Sequence, residues 1–296
     1  MTLELDRLDS QAPAQNSRPS LRSRRTVRTG LPLGSASGLS LGVVVLWLSL
    51  LVLLPLAAVL GKAFGAGWHE FWSAVTDREA ASALRLTLQL SIAVAVVNGI
   101  VGTLVAWVLV RERFRGSSLL EFVIDIPFAL PTIVAGLVML AVYGGQDPIG
   151  PNLFGTRMGL FVTLLFVTLP FTVRTVQPVL LDLDLDAEQA ATSLGASAAV
   201  TFRRIVLPQI MPAVASGAAL TFARALGEYG SVVLISSNIP FKTEIASSLI
   251  YGKLQNADNP ALATQQASAI AAILLLASAV VLVLLDVLQR RMASGG

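Results

Sequence analysis

The sequence predicts an all-α integral membrane protein built on six transmembrane helices. Three observations predict it. The chain is 54% hydrophobic against 13% charged, with a mean hydropathy of +0.74. Its apolar residues gather into six runs long enough to cross a bilayer. Its Arg and Lys sit in short segments beside those runs instead of on one face. A soluble core of 296 residues does not use this much apolar surface. With a net charge of only +3 and a pI near 9.7, the basic residues mark membrane orientation and not nucleic-acid binding. No Cys is present, which excludes a disulfide scaffold and a thiolate metal site, and the single His69 excludes a His-cluster zinc site. No metal and no cofactor is therefore expected on this chain.

Residues 1–38 are polar, rich in Ser, Pro and Arg and without hydrophobic periodicity, so they are expected to form a disordered cytoplasmic tail. Within them Ser23, Arg24 and Arg25 faintly resemble a twin-arginine signal. The apolar run that follows is longer than a signal-peptide core, which favours an uncleaved first span. A span needs about 20 apolar residues, at about 1.5 Å each across about 30 Å of hydrocarbon. The segments 39–61, 86–110, 122–143, 158–180, 213–235 and 266–288 meet this requirement. They form a permease-sized domain over 39–290, leaving 291–296 as a C-terminal tail. Pro127, Pro131 and Pro170 lie inside the third and fourth spans and predict kinks there.

Orientation follows from the basic residues. Thirteen fall on the side of the N-terminal tail, Arg111, Arg203 and Arg290, six on the side of Lys62, Arg157 and Lys242, and Arg174 and Arg224 lie within spans. Positive-inside bias then places both termini in the cytoplasm, with a long cytoplasmic loop over 181–212.

That loop spells two short helices. Asp186 is the expected N-cap with Gln189 as capping-box partner, and Asp182, Asp184 and Asp186 favour the positive end of the helix dipole. Gly195 is the expected left-handed stop, and a second helix over 197–207 would end at Pro208. From the residues alone, such an element suits either insertion into a partner's groove, with Ala190 and Ala191 allowing close approach, or rest on the lipid surface.

The spacing Gln189-Ala190-Ala191, three residues, Gly195, nine residues, Ile205-Val206-Leu207-Pro208 is similar to the cytoplasmic loop of binding-protein-dependent ABC importer permeases, which read Glu-Ala-Ala, three residues, Gly, nine residues, Ile-x-Leu-Pro. The chain departs from that pattern at Gln189, with Glu188 one place earlier. The resemblance implies a bundle like that of type I ABC importer permeases. It also implies a coupling helix that docks on an ATPase, carried here by Glu188, Gln189, Ala190, Ala191, Gly195, Ile205, Leu207 and Pro208.

Two further stretches narrow the family. The run from Asp125 through Pro127 and Pro131 to Gly136 resembles a segment shared by sulfate and molybdate permeases. Ala225-Leu226-Gly227-Glu228-Tyr229-Gly230-Ser231, followed by Asn238-Ile239-Pro240-Phe241-Lys242-Thr243-Glu244, looks like the sulfate/thiosulfate permease, the first of two paired membrane subunits. Molybdate permeases share the Gly-Glu-aromatic-Gly pattern. The implied partners are a homologous second permease, two ATPase subunits carrying ATP and Mg, an external sulfate-binding protein and the lipid bilayer, with no nucleic acid. The implied localisation is the bacterial inner membrane, and the chain itself is no enzyme.

In the fifth span Arg224 and Glu228 lie about one turn apart, where each charge costs roughly 2.5–3.5 kcal/mol to insert. They are either a structural ion pair or part of the anion pathway, Arg224 offsetting a dianion and Glu228 preventing its trapping. Ser231 and Thr132 are candidate oxyanion donors, as are Ser236 and Ser237, while small polar residues in spans also serve packing. Arg174 is expected to snorkel to the cytoplasmic face, and Asn98 and Gln89 to glue helices together. A secondary transporter would show internal repeats and need no such loop. An intramembrane enzyme lacks its ligands here, and no Walker motif follows a strand.

Overall fold

The computed structural model describes residues 35–112, 114–145, 148–255 and 258–294. The tail expected over 1–38 lies outside the described residues up to residue 34, as do the last two residues of 291–296. Two compact units divide between Leu51 and Val52. The described part of the first is α1 (Ser35–Leu48) and the start of a π-helical stretch (Ser49–Leu53). Its large apolar side chains, such as Leu46 and Trp47, are all widely exposed, as suits a helix whose solvent is lipid.

The second unit runs from the end of that π stretch through α2 (Leu54–Phe64), α3 (Trp68–Thr76), α4 (Arg78–Arg111), α5 (Ser117–Ala129), α6 (Thr132–Tyr143), α7 (Arg157–Leu181), α8 (Leu185–Ser193), α9 (Ala198–Thr201), a second π stretch (Phe202–Val206), α10 (Leu207–Leu226), α11 (Ala246–Gln255) and α12 (Pro260–Ser294). No strand occurs among the described residues.

Five stretches are long and apolar enough to cross a membrane: Gly38–Phe64, Arg78–Arg111, Arg157–Leu181, Ala198–Leu226 and Pro260–Leu284. They correspond to the first, second, fourth, fifth and sixth expected spans. The third, expected as one kinked helix, is instead the pair α5 and α6, bent by 116°. Pro131 has no N–H to continue α5, and it pushes Leu130 into an extended conformation, φ −82° and ψ 135°. Pro127, Pro170 and Pro178 are carried inside helices.

The fifth span is displaced towards the N-terminus. Its helix begins in the loop after α7 and stops at Leu226, about nine residues before the expected end at 235. Pro208 was expected to terminate the loop's second helix, yet it stands in the first turn of α10. The π stretch before it explains this, because Leu207 N donates to Phe202 O, a five-residue step that widens the backbone where the ring would otherwise meet a carbonyl. Gln209 Nε2 then caps Ile205 O at 2.9 Å. The same device precedes Pro55, where the π stretch Ser49–Leu53 leads into α2.

The centre of the unit is the trio α4, α7 and α10. Thr172 on α7 packs between two glycines. A Cβ on Gly102 of α4 would lie 2.8 Å from Thr172 Cβ, and one on Gly217 of α10 would lie 2.9 Å from Thr172 Cα. Thr172 Oγ1 and Thr221 Oγ1 share a buried hydrogen bond of 3.1 Å. Asn98 Nδ2 donates to Leu165 O at 3.1 Å and to Thr168 Oγ1 at 2.9 Å, which is the interhelical role expected of it. Gln89, expected to do the same, is exposed. On one flank α12 and α11 pack against α2, α3 and α4, and on the other α5 and α6 lie against α7.

At the N-terminal end of α4, Asp77 Oδ2 caps Glu79 N at 3.2 Å and Ala80 N at 3.5 Å. Beside it Glu244, in the segment before α11, has a buried Oε2 without a hydrogen-bond partner. Burial first, and the neighbouring Glu79 carboxylate second, raise its pKa to about 7 against the pull of Lys253. A raised carboxyl makes the folded state hold more protons than the unfolded one, so this group's cost is absent below the ordinary value of 4.5 and complete above about 7.

Two outcomes follow for purified protein. Gly102→Leu and Gly217→Leu should each destabilise by about 1–3 kcal/mol or prevent insertion, whereas Gly99→Ala, whose Cβ would meet Ala218 Cβ at 3.6 Å, should be neutral. Thermal midpoints in detergent check this. Glu244→Gln should raise the midpoint at pH 8 and leave it unchanged at pH 4, flattening the pH dependence; an unchanged profile would show that the carboxyl is not destabilised.

Candidate functional site

The loop element expected on the cytoplasmic side is built from α8 and α9. Asp184, not Asp186, is the N-cap, its Oδ1 accepting from Asp186 N at 2.9 Å. The capping box expected at Gln189 is therefore out of register, since N3 falls on Ala187. Asp186 and Glu188 lie in the first turn, where the helix dipole favours carboxylates. The stop is where the sequence puts it. Gly195 has φ +84°, Gly195 N donates to Thr192 O at 2.9 Å, and Ala196 N donates to Ala191 O at 3.0 Å, which closes a Schellman motif. A Cβ at Gly195 would meet nothing within 4 Å, so only the backbone conformation demands glycine there.

No residue of α8 is buried. Gln189 and Ala190 are exposed, and Leu194 presents 88% of its surface, an unusual amount for a leucine at a helix end. Ile205 and Leu207 are partly buried beside fully buried Val206, so they root the loop in the bundle while Pro208 lies on the surface. Sequence reasoning missed the support from below. Arg111, at the end of α4, places Nη2 2.5 Å from Glu188 Oε1 and its guanidinium 5.3 Å from the Trp107 ring. Trp107 in turn meets Phe202 edge-on at 5.2 Å. Arg111 had only been counted as a basic residue of the cytoplasmic side; its spacing of four from Trp107 was the available signal.

The membrane constellation forms where two helix breaks meet. α10 ends at Leu226, so Glu228 and Ser231 lie beyond the helix and not in the middle of a span. Arg224 Nη2 still reaches Glu228 Oε2 at 3.3 Å, with the Arg224 side chain 42% exposed and that of Glu228 2% exposed. Glu228 Oε1 accepts from Ser231 N at 3.1 Å, and Ser247 Oγ donates to Glu228 O at 2.8 Å. Thr132 opens α6 just after the 116° bend. It crosses to the second break, because a Cβ on Gly230 would lie 2.3 Å from Thr132 Oγ1 and one on Gly136 would lie 2.5 Å from Ser231 O. All four expected residues therefore converge, although the sequence had put three of them on one helix. Ser231 is fully buried and its Oγ has no hydrogen-bond partner. Ser236, by contrast, is consumed by a turn, donating to Thr243 O at 2.8 Å.

Arg174, expected to snorkel, is held by partners on α5 and its own helix. Its Nε donates to Asp125 Oδ1 at 2.9 Å, its Nη2 pairs with Asp125 Oδ2, and its Nη1 donates to Gln177 Oε1 at 2.8 Å. Gln177 Nε2 continues to Glu121 Oε1 at 3.0 Å, so a polar ladder joins α7 to α5. Among the described residues no group of His, Cys, Asp or Glu is placed to hold a metal.

Residues 98–294 match the family described as binding-protein-dependent transport system inner membrane component. The chain is 44% identical over 255 residues to the sulfate transport system permease protein CysT of Synechocystis sp., covering 84% of this chain and 87% of that protein. It is 41% identical over 260 residues to the CysT of Salmonella typhimurium, covering 86% and 92%. The fold is similar to a solved bacterial ABC transporter that imports the acidic polysaccharide alginate, with a TM-score of 0.71 at 14% identity over 86% of this chain and 94% of that one. A chain of the MetNI methionine ABC transporter aligns at a TM-score of 0.55 and 16% identity, covering 71% and 96%. Multiple apolar spans and these likenesses together make the chain a multi-pass membrane protein that belongs to the family of binding-protein-dependent transport system inner membrane components.

Proposed function

We propose that this chain is the permease subunit of an ATP-driven importer of sulfate and thiosulfate, acting as one half of the pore. The observation that carries the coupling role is α8 itself, an exposed helix with no buried residue, ended by a Schellman turn and rooted in α10. Its exposed Leu194 and small Ala190 suit a groove on an ATPase. Relatives 41–44% identical, described as sulfate permeases, support the substrate. ATP and Mg belong to two ATPase subunits, a homologous permease completes the pore, and an external binding protein delivers the anion. The basic-residue asymmetry supports a topology with both termini in the cytoplasm, on the side of α8.

In this reading the two bundles rock between inward and outward openings as the ATPases close and move the docked helices. The anion pathway passes the meeting point of the breaks. Arg224, exposed while its partner Glu228 is buried, offers a guanidinium that offsets a dianion, and Glu228 keeps that charge from holding the ion. Ser231 Oγ and Thr132 Oγ1 are neutral donors at the same place.

Radiolabelled sulfate uptake by membrane vesicles bearing the assembled complex tests both parts. Gly195→Val should cut uptake by about tenfold or more and release the ATPase on purification, because a β-branched residue resists the left-handed conformation. Gly195→Asn, which tolerates that conformation, should stay near wild type. Normal uptake and assembly in Gly195→Val would remove the docking role. At the breaks, Arg224→Gln and the double variant with Glu228→Gln should both lose uptake at normal membrane abundance. Recovery in the double variant would leave a structural ion pair, since a lone charge is then the damaging state.

A further inference from the structure

The coupling helix has little beneath it. α8 buries no residue, and between it and the bundle lies a groove of about 580 Å³ lined by Trp107, Leu185, Glu188, Gln189, Phe202 and Val206. Packing alone cannot carry a displacement of α8 across that hollow. The covalent route to α10 passes Gly195 at φ +84° and the π stretch Phe202–Val206, two points where the backbone departs from a stiff α-helix. A second, shorter connection exists.

Arg111 and Glu188 stand 2.5 Å apart with side chains only 17% and 21% exposed, on helices separated by 77 positions in sequence. Among the described residues this is the one ion pair that joins α8 to a spanning helix. The guanidinium is fixed a second time by the face of Trp107, and Trp107 is fixed by the edge of Phe202 in the π stretch. Partly buried charges of this kind hold their geometry because separation leaves each one desolvated and alone. One turn above Arg111, Ala106 and Leu109 pack with Val173, Val176 and Val206, and Gly102 lies against Thr172. The pair therefore leads directly into the trio at the centre of the bundle.

We infer that Arg111 is a positioning residue that ties the coupling helix to the second span, so that movement of α8 is delivered to α4 and α10 together. The inference rests on the docking role of α8 proposed above. The carboxylate at 188 is thereby engaged within its own chain.

The test uses the assembled complex in vesicles, with ATP hydrolysis and sulfate uptake measured side by side in the presence of sulfate-loaded binding protein. Arg111→Ala should retain the ATPase on purification yet raise the ATP consumed per sulfate by about tenfold, and Arg111→Ala with Glu188→Ala should be no worse than either alone. Because the chain contains no Cys, Arg111→Cys with Glu188→Cys gives a clean pair of thiols. Bridging them with a short, reducible bis-methanethiosulfonate should restore uptake, and reduction should abolish it again. A wild-type ATP-to-sulfate ratio in Arg111→Ala, additive losses in the double variant, or a bridged protein that assembles without transporting would each overturn the tie. Failure of the docking role would appear separately, as ATPase retention by Gly195→Val.

Discussion

The close approach of three helix backbones around Thr172 is the constraint on which the rest of the structure depends. In a bilayer there is no hydrophobic drive between helices, so association relies on van der Waals contact, side-chain hydrogen bonds and small residues that let backbones meet. Gly102 and Gly217 supply the space on either side, and the Thr172–Thr221 and Asn98–Thr168 hydrogen bonds satisfy polar groups without water. Moving α4, α7 or α10 by the width of a methyl group would break this contact, and α2, α5, α6, α11 and α12 are all placed by packing on that trio or on each other.

Proline shapes the molecule in two different ways. At Pro55 and Pro208 the helix widens into a π turn and continues; at Pro131 it breaks outright and bends by 116°. The π turn at 202–206 lets one helical run, Ala198–Leu226, extend from the loop after α7 to the helix end at Leu226, whereas the break at Pro131 brings Thr132 against Gly230. Irregular backbone is tolerated in a membrane protein only where protein or a water-filled cavity surrounds it, and the two breaks in this chain pack against one another.

Charge follows the same economy. Arg111–Glu188, Arg174–Asp125 and Arg224–Glu228 each place a cation beside a carboxylate. Their exposures differ. The first is largely enclosed, the second is part of a ladder between α7 and α5, and the third buries its anion while leaving its cation accessible.

The sequence by itself determined five of the six expected spans, their order and the Gly195 stop, because apolar run length and left-handed glycine are local properties that no neighbour needs to supply. It also named Arg224, Glu228, Ser231 and Thr132. It could not place them, because three of the four were read as one helix that actually stops at Leu226. Whether a proline ends a helix, widens it or bends it depends on which carbonyls find other donors, as Phe202 O finds Leu207 N in the π turn, and that is settled only in the folded chain. The same holds for Arg111, whose spacing of four from Trp107 hints at a ring contact but not at a carboxylate partner. Its meeting with Glu188 joins residues 77 positions apart, and only the packing of α4, α7 and α10 brings them together.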